Sequence, residues 1–241
     1  MGLSTTLTTP GRADREAAAG TTEPAVDGRQ PANEQVYLSL RARLLEGALE
    51  PGASLTLRGV AASLGVSMTP AREAVRKLVA ERALAMTGSG RILVPLPNAS
   101  ELEELFAARR LLEPELARRA AKAASKRVGP LLKALQAQDD ALEAAIGAGD
   151  AQGYVRANTG FHATLYAAAE APALMALVES IWLQTGPTMR RVYGVIGTRA
   201  LQDFHETALA ALSDDDPAGL ARAIRDDVDQ GAALAAEAAA L

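Results

Sequence analysis

The stretch PGASLTLRGVAASLGVSMTPAREAVRKL, residues 51–78, decides the fold of this chain. Its apolar residues recur at helical spacing in two groups, which predicts two short helices separated by Gly65. Gly65 tolerates the left-handed conformation that ends a helix. Ser67 is a good N-cap for the second helix, whose first turn accepts Pro70. The apolar positions are Leu57, Val60, Ala61 and Leu64 before the glycine, and Ala71, Ala74, Val75 and Leu78 after it.

The segments on both sides of this stretch complete a small domain. Upstream, apolar residues recur every four positions and predict a first helix that ends near Gly47: Val36, Leu40 and Leu44. Downstream, Ala83–Thr87 and Arg91–Val94 can pair as strands around Gly88-Ser89-Gly90. Helix, tight turn, helix and hairpin in this order are typical of a winged helix-turn-helix, whose second paired helix lies in the major groove of DNA.

The exposed face of that second helix carries candidate DNA contacts. Arg72 and Arg76 are one turn apart, so both side chains can point the same way. The rigid fork of an arginine suits guanine edges or phosphates. The alternative is an ordinary solvated helix face, and the two arginines alone do not decide between these readings.

The composition of the 241 residues favours helices. Hydrophobic residues make up 49% and aromatic residues 3%, with Ala and Leu dominant. The absence of Cys excludes disulfides and thiolate metal sites. No apolar run reaches the roughly 18 residues of a membrane span, and the start lacks a signal-peptide pattern. We therefore expect a cytoplasmic protein with no membrane partner.

Charge divides the chain at a proline-rich boundary, Pro95-Leu96-Pro97-Asn98. Residues 34–95 hold eight Lys or Arg and five Asp or Glu, a net charge of +3, whereas residues 96–241 carry a net charge of −6. A basic segment beside an acidic one is typical of a DNA-binding module attached to a second domain. We predict a disordered tail (1–33), a winged helix-turn-helix (34–95), a linker (96–100) and an all-helical effector-binding and dimerisation domain (101–241).

The second domain reads as a helical bundle with a binding site between its helices. Ser100 and Glu103 form a candidate capping box at its start. Asp216 can cap the last helix, with Pro217 at the first helical position. After the first helix, further helices are predicted at Pro130–Ala145, Ala151–Ala169, Ala173–Gln184, Arg199–Leu212 and Pro217–Ala239. The predicted fold class is therefore mainly α: three helices and a short β-hairpin, followed by an all-α bundle.

Residues 34–95 resemble the DNA-binding domain of the GntR family of bacterial regulators. The resemblance rests on Pro51-Gly52, Leu64-Gly65-Val66-Ser67, Thr69-Pro70, Arg72-Glu73-Ala74 and the later GSGRILV, residues 88–94. Met68 stands where the family usually has Arg, which removes one DNA contact. The resemblance implies DNA contacts from the second helix, from the third helix and from the wing: Arg58, Ser67, Thr69, Arg72 and Arg76, with Gly90 and Arg91 in the wing.

The remaining chain resembles the FCD effector domain of FadR-type GntR regulators. The matching stretches are ARRLLE (108–113), NTGFH (158–162) and FHETALAAL (204–212). The resemblance implies a divalent metal, zinc or nickel, held by Asn158, His162, His205 and Asp227, the last standing where the family has a third His. Alternatively, both histidines are satisfied core residues without metal, and Asp227 is exposed beside Asp226.

The resemblance also implies an effector pocket. Arg109 matches a position that lines this pocket, and the alternative is a surface charge beside Arg110. Arg190 or Arg191 is a candidate second cation. Trp182, the sole Trp, is a candidate wall of the pocket or a core or interface residue. In the subfamily the metal binds a carboxylate-bearing effector directly, so we expect a small carboxylate as ligand.

These observations favour a ligand-responsive regulator, a repressor that binds a palindromic double-stranded operator as a homodimer. A metal-dependent, hydrolase-like bundle with an accessory DNA-binding domain is an alternative, although the sequence offers neither a nucleophile motif nor a general base beside the cluster. An architectural DNA-binding protein is another. Polar residues across three buried helices argue against it, because buried polar groups cost free energy unless they are used.

Overall fold

The computed structural model describes residues 31–125, 128–197 and 204–239, with side chains to residue 238. This part of the chain is mostly helical, as predicted. The first domain contains α1 (Ala32–Leu45), β1 (Ser54–Leu55), α2 (Leu57–Ser63), α3 (Met68–Ala80), β2 (Ala85–Met86) and β3 (Ile92–Leu93). The second contains α4 (Ala99–Ala124), α5 (Val128–Ala148), α6 (Ala151–Ala167), α7 (Pro172–Ile196), α8 (Phe204–Ser213) and α9 (Pro217–Ala239).

The predicted tail falls mainly on residues 1–30, outside the described residues. Its predicted end at residue 33 is too late, because α1 already begins at Ala32. The predicted start of the helix Arg199–Leu212 also lies outside the described ranges.

The first domain is a winged helix-turn-helix with one strand more than predicted. Its three strands have the order β1-β3-β2 and are antiparallel, so β1 pairs with the wing hairpin. Gly65 has φ +65 after α2, which confirms its role as a helix stop. Ser67 occupies the N-cap position of α3, but its side chain makes no capping hydrogen bond, contrary to expectation. Thr56 does cap α2, because its hydroxyl accepts from the Gly59 N–H at 3.0 Å.

The helical domain follows the predicted helices, with small shifts at several ends, but its first capping box and its fourth helix, α7, differ from the prediction. The capping box of α4 is formed by Asn98 and Glu101, two residues earlier than the predicted pair of Ser100 and Glu103. The seventh helix continues past Gln184 and through Pro187 as far as Ile196. At the last helix the prediction is confirmed, since the Asp216 carboxylate accepts from the Ala218 and Gly219 N–H groups.

The bundle is held by α4 against α9, α5 against α6, and α8 against α9. The helix α7 lies between this bundle and α1, which it contacts directly. Leu183 on α7 is 2% exposed and belongs to the hydrophobic core of the winged domain. Among the described residues, none of the helices combines the length and hydropathy needed to cross a bilayer.

Candidate DNA interface and ligand cavity

The residues expected at DNA all lie on the surface of the winged domain. They occupy α2, the start and exposed face of α3, and the turn between β2 and β3: Arg58, Ser67, Thr69, Arg72, Arg76, Gly90 and Arg91. Gly90 has φ +79, a conformation that the wing turn requires and that glycine adopts without strain. Met68, at the first position of α3, is 39% exposed and offers no charge at the place of the family arginine.

Three of the predicted metal ligands converge from three helices. His162 on α6, His205 on α8 and Asp227 on α9 place ligand atoms within 4.8 Å of one another. Asn158 lies one turn before His162 and lines the same cavity as His162 and Asp227. The fold therefore brings three of the four residues that the sequence singled out within reach of one ion, and it places Asn158 on the cavity wall beside two of them.

Each histidine ring has one nitrogen near a polar partner and one without a hydrogen bond. His162 Nδ1 is hydrogen-bonded to the Tyr166 hydroxyl at 3.1 Å. His205 Nδ1 lies 3.3 Å from Asp139 Oδ1, but without the geometry of a hydrogen bond. His162 Nε2 lies 3.1 Å from Asp227 Oδ2, but without the geometry of a hydrogen bond. The Nε2 atoms of both histidines are buried and unpartnered among the described residues. Two such nitrogens beside a carboxylate are a donor set that fits zinc or a similar divalent cation.

The electrostatics of Asp227 favour its ionised form. Burial alone would raise the pKa of this carboxyl, but the neighbouring His162, and then His205 and Arg109, outweigh burial and lower the pKa to about 2. Its side chain is 13% exposed, so the alternative of a freely exposed Asp227 is wrong. An ionised carboxylate is the state that a metal ligand requires.

Arg109 is buried beside the cluster in an ion pair with Glu113. Arg109 Nε donates to Glu113 Oε1 at 2.6 Å, and a second guanidinium nitrogen donates to Oε2 at 3.3 Å. Burial opposes charge on both groups, but their attraction prevails, so the pKa of Glu113 is lowered and that of Arg109 is raised. Only 7% of Arg109 is exposed, so the alternative of a surface charge beside Arg110 is wrong.

Glu113 also accepts hydrogen bonds from two buried aromatic side chains. The Tyr166 hydroxyl donates to Oε2 and the Trp182 indole donates to Oε1, each at 2.9 Å. Burial and the nearby Glu113 carboxylate raise the pKa of Tyr166 well above its ordinary value. Glu113 therefore joins Arg109 to Trp182 and, through Tyr166, to His162.

A cavity of about 40 Å³ opens beside this network. That volume holds roughly three waters or a metal ion with little else. Its wall includes Arg109, Trp182 and the predicted ligands Asn158, His162 and Asp227, together with Leu45, Val155, Thr159, Thr185, Gly186, Met189, Tyr193 and Gly231. Trp182 is both a core residue and part of the wall, so neither alternative for it excludes the other.

Arg190 does not line this cavity. Its guanidinium lies 3.2 Å from the Glu50 carboxylate, in an exposed ion pair between α7 and the winged domain. Its Cβ atom packs close to Gly47, so the side chain leaves α7 toward the winged domain rather than toward the cavity. The structure therefore does not place Arg190 where it could bind an effector in this cavity.

The cavity wall reaches the winged domain. Leu45, the last residue of α1, is part of the lining. The Thr159 hydroxyl on α6 donates to the Leu45 carbonyl oxygen at 3.4 Å. Gly186 on α7 approaches the carbonyl oxygens of Leu44 and Leu45 so closely that a Cβ atom would not fit. Arg41 and Glu179 add an ion pair between the same two helices.

Sequence reasoning missed three residues of the site: Glu113, Tyr166 and Asp139. Glu113 stands four residues after Arg109, the spacing of a helical ion pair. Tyr166 stands four residues after His162 and could have been found in the same way. Asp139 gives no such signal, because α5 brings it to His205 from a distant part of the chain.

A winged helix-turn-helix joined to a helical bundle with a buried polar cavity defines a class of ligand-responsive DNA-binding proteins. Comparison with known families agrees: residues 32–94 match the gntR family of bacterial regulatory proteins, and residues 104–230 match the FCD domain. The chain belongs to the GntR family and is a ligand-responsive, DNA-binding transcriptional regulator with an FCD effector domain. This confirms the family, fold and general function expected from the sequence.

Among characterised relatives, the chain is similar to the HTH-type transcriptional regulator McbR of Escherichia coli K12. The two are 30% identical over 204 residues, which cover 83% of this chain and 90% of McbR. The gluconate operon transcriptional repressor of Bacillus subtilis 168 is 27% identical over 155 residues, covering 64% of this chain and 60% of that protein.

Solved structures show the same fold. The structure of E. coli McbR/YncC aligns with a TM-score of 0.79 at 28% identity, covering 87% of this chain and 99% of that one. A putative GntR regulator from Rhodococcus sp. RHA1 aligns with a TM-score of 0.65 at 22% identity, covering 84% and 96%. The second likeness, at its lower identity, concerns the fold alone.

Proposed function

We propose that the chain is a cytoplasmic repressor that binds a palindromic operator as a homodimer and releases it when a small carboxylate enters the cavity. In this proposal α3 and the wing contact DNA, with Arg72 reading a base edge. Asn158, His162, His205 and Asp227 hold a divalent metal, zinc or nickel. Arg109 and Trp182 line the effector pocket.

One observation carries the proposal: a single cavity is bounded by the metal-ligand cluster, by a buried arginine and by the DNA-binding domain. Leu45 ends α1, the helix that packs on α3, and it lines the cavity together with Arg109 and Asp227. A single residue, Leu45, therefore separates a ligand in the cavity from the helices that position α3.

The size of the cavity supports a mechanism. Its volume of about 40 Å³ corresponds to roughly three waters, so a metal ion and an organic acid together would crowd it. A carboxylate bound to the metal would therefore displace part of the wall, which includes Leu45 at the end of α1. Displacing α1 moves α3, so the effector shifts the population away from the arrangement that fits both operator half-sites.

The positive charge at the cavity supports a carboxylate as the effector. When bound, the divalent metal supplies positive charge and open coordination positions that a carboxylate oxygen can fill. Arg109 adds a buried guanidinium on the same cavity wall. The B. subtilis relative is named as the repressor of the gluconate operon, and gluconate is itself a carboxylate.

The test begins with metal content. Elemental analysis of purified protein is expected to give one divalent ion per chain, lost in His162→Ala, His205→Ala and Asp227→Ala. Asp226→Ala is the matched control, because Asp226 is the exposed neighbour of Asp227. A wild-type protein that binds neither zinc nor nickel would contradict the metal site.

The effector is sought with Trp182, the sole Trp of the chain, as a fluorescent reporter in the cavity wall. Acetate, citrate and gluconate are titrated into zinc-loaded and metal-free protein. A carboxylate that quenches Trp182 only with metal, and that also releases DNA selected for binding to the protein, supports the proposal. Equal affinity with and without metal would leave a regulator whose four polar residues only line the pocket.

A further inference from the structure

We infer that Tyr166 and Asp139 are positioning residues that keep the proton of each cluster histidine on Nδ1 and leave Nε2 free to bind a cation. This inference rests on the proposed metal site and names the residues that prepare it. Neither residue belongs to the predicted ligand set.

The direction of the hydrogen bonds at Tyr166 decides the tautomer of His162. Glu113 receives N–H donors from Arg109 and Trp182 on both carboxylate oxygens, so it acts as an acceptor throughout. The single hydroxyl proton of Tyr166 is therefore given to Glu113 Oε2, at 2.9 Å. The Tyr166 oxygen can then only accept from His162, 3.1 Å away, which places a proton on Nδ1.

Asp139 plays the same part for His205 from another helix. Its Oδ1 atom lies 3.3 Å from His205 Nδ1, and a carboxylate can only accept. Asp139 is 7% exposed, and its Oδ1 atom forms no hydrogen bond among the described residues, so its contact with His205 Nδ1 is electrostatic and favours a proton on that nitrogen. The ring of His205 is stacked flat against Phe161, with centroids 3.9 Å apart, which fixes the plane of the imidazole.

Both arrangements aim the same ring atom into the cluster. With Nδ1 protonated on each ring, the two buried Nε2 atoms carry the lone pairs that a cation needs. For His162 the competing tautomer would place the proton on Nε2, the nitrogen that lies 3.1 Å from the carboxylate oxygen Asp227 Oδ2. Without Tyr166, that competing form is favoured and the cation must displace its proton. Partners of this kind typically change metal affinity about 10–100-fold.

The experiment uses the full chain labelled with ¹⁵N-histidine, which gives two ring systems because the chain has only two histidines. Long-range ¹H–¹⁵N spectra of wild type are expected to show a proton on Nδ1 of both rings, with and without zinc. Tyr166→Phe is expected to move the proton of His162 to Nε2 in the metal-free protein, without altering His205. Asp139→Asn is expected to change His205 alone.

Zinc affinity is measured in parallel by competition with a chelator. We expect it to fall about 10–100-fold in Tyr166→Phe and Asp139→Asn. Two matched controls keep the wild-type affinity: Tyr37→Phe removes another tyrosine hydroxyl bonded to a glutamate, and Asp140→Asn alters the exposed neighbour of Asp139. Circular dichroism confirms that each variant is folded.

The outcomes separate this inference from the proposed function. An unprotonated Nδ1 on His162 in wild type, or an unchanged tautomer and affinity in Tyr166→Phe, would overturn the role of Tyr166 while the metal site stands. If wild type binds no metal, the proposed metal site fails, and the tautomers of the metal-free protein still decide whether Tyr166 and Asp139 position the rings.

Discussion

Gly186 is the point at which α7 comes closest to the end of α1. A Cβ atom there would lie 2.9 Å from the Leu44 carbonyl oxygen and 3.2 Å from the Leu45 carbonyl oxygen. Both oxygens belong to the backbone, so neither can rotate out of the way. We predict that Gly186→Ala displaces the end of α1 and thereby imitates the effector.

The expected magnitude follows from the cost of overpacking, about 1–3 kcal/mol for a methyl group forced into a packed site. A cost of that size changes the equilibrium between the docked and displaced positions of α1 by a factor of about 5 to 150. Operator affinity is expected to fall by up to that factor. Hydrogen exchange in the last turn of α1 is expected to rise with it.

Gly194→Ala on the same helix is the matched control, because a Cβ atom there meets nothing within 4 Å. Gly186 precedes Pro187, so alanine is also less free to be helical at 186 than at 194. Urea unfolding measures separately how much each glycine-to-alanine change lowers the free energy of unfolding. Affinity is read by fluorescence anisotropy of a labelled operator at fixed salt. Wild-type affinity and wild-type exchange in a folded Gly186→Ala protein would refute the coupling of cavity to DNA through α1.

Three further predictions concern other parts of the chain. Arg72→Ala is expected to weaken operator binding by about 1–3 kcal/mol in a gel-shift titration, whereas Arg222→Ala on the bundle surface is not; equal binding would remove α3 from the groove. Deleting residues 1–30 is expected to leave the mass in solution at that of a dimer, and a monomer would contradict this. Because the pKa of Asp227 is about 2 when folded and about 3.9 when unfolded, Asp227 stabilises the fold above pH 4. That stabilisation is lost between pH 4 and 2, so Asp227→Asn should flatten the acid limb of the unfolding curve, and an unchanged limb would refute the low pKa.

The fold was predictable where the periodicity was long and the signals for helix ends were strong, as at the Gly65 stop after α2 and the Asp216 cap before α9. It was not predictable where two patterns compete. Asn98 with Glu101 and Ser100 with Glu103 both satisfy a capping box, and only the path of the linker selects the first pair. The strand β1 has two residues, too few for any alternation, and it exists only because β3 pairs with it.

The extension of α7 shows how tertiary packing overrides a local signal. Pro187 predicts a break, since it removes a backbone donor, yet the helix continues because Gly186 and Leu183 are packed against α1 and the winged core. For the site, the family resemblance identified Asn158 and His162, and their i, i+4 spacing placed them on one helix face. The role of Asp139 depends on the docking of α5 against α8, which no local pattern encodes.

Leu183 has a consequence for how the protein unfolds. A helix of one domain supplies a fully buried side chain to the core of the other, so neither domain keeps an intact core alone. The chain from Pro31 onward forms one compact unit. A fragment cut at the linker would lose an internal leucine and expose the apolar face of α1 to water. Melting should therefore be a single cooperative event, and a ligand that stabilises the bundle should protect the DNA-binding helices from proteolysis to the same degree.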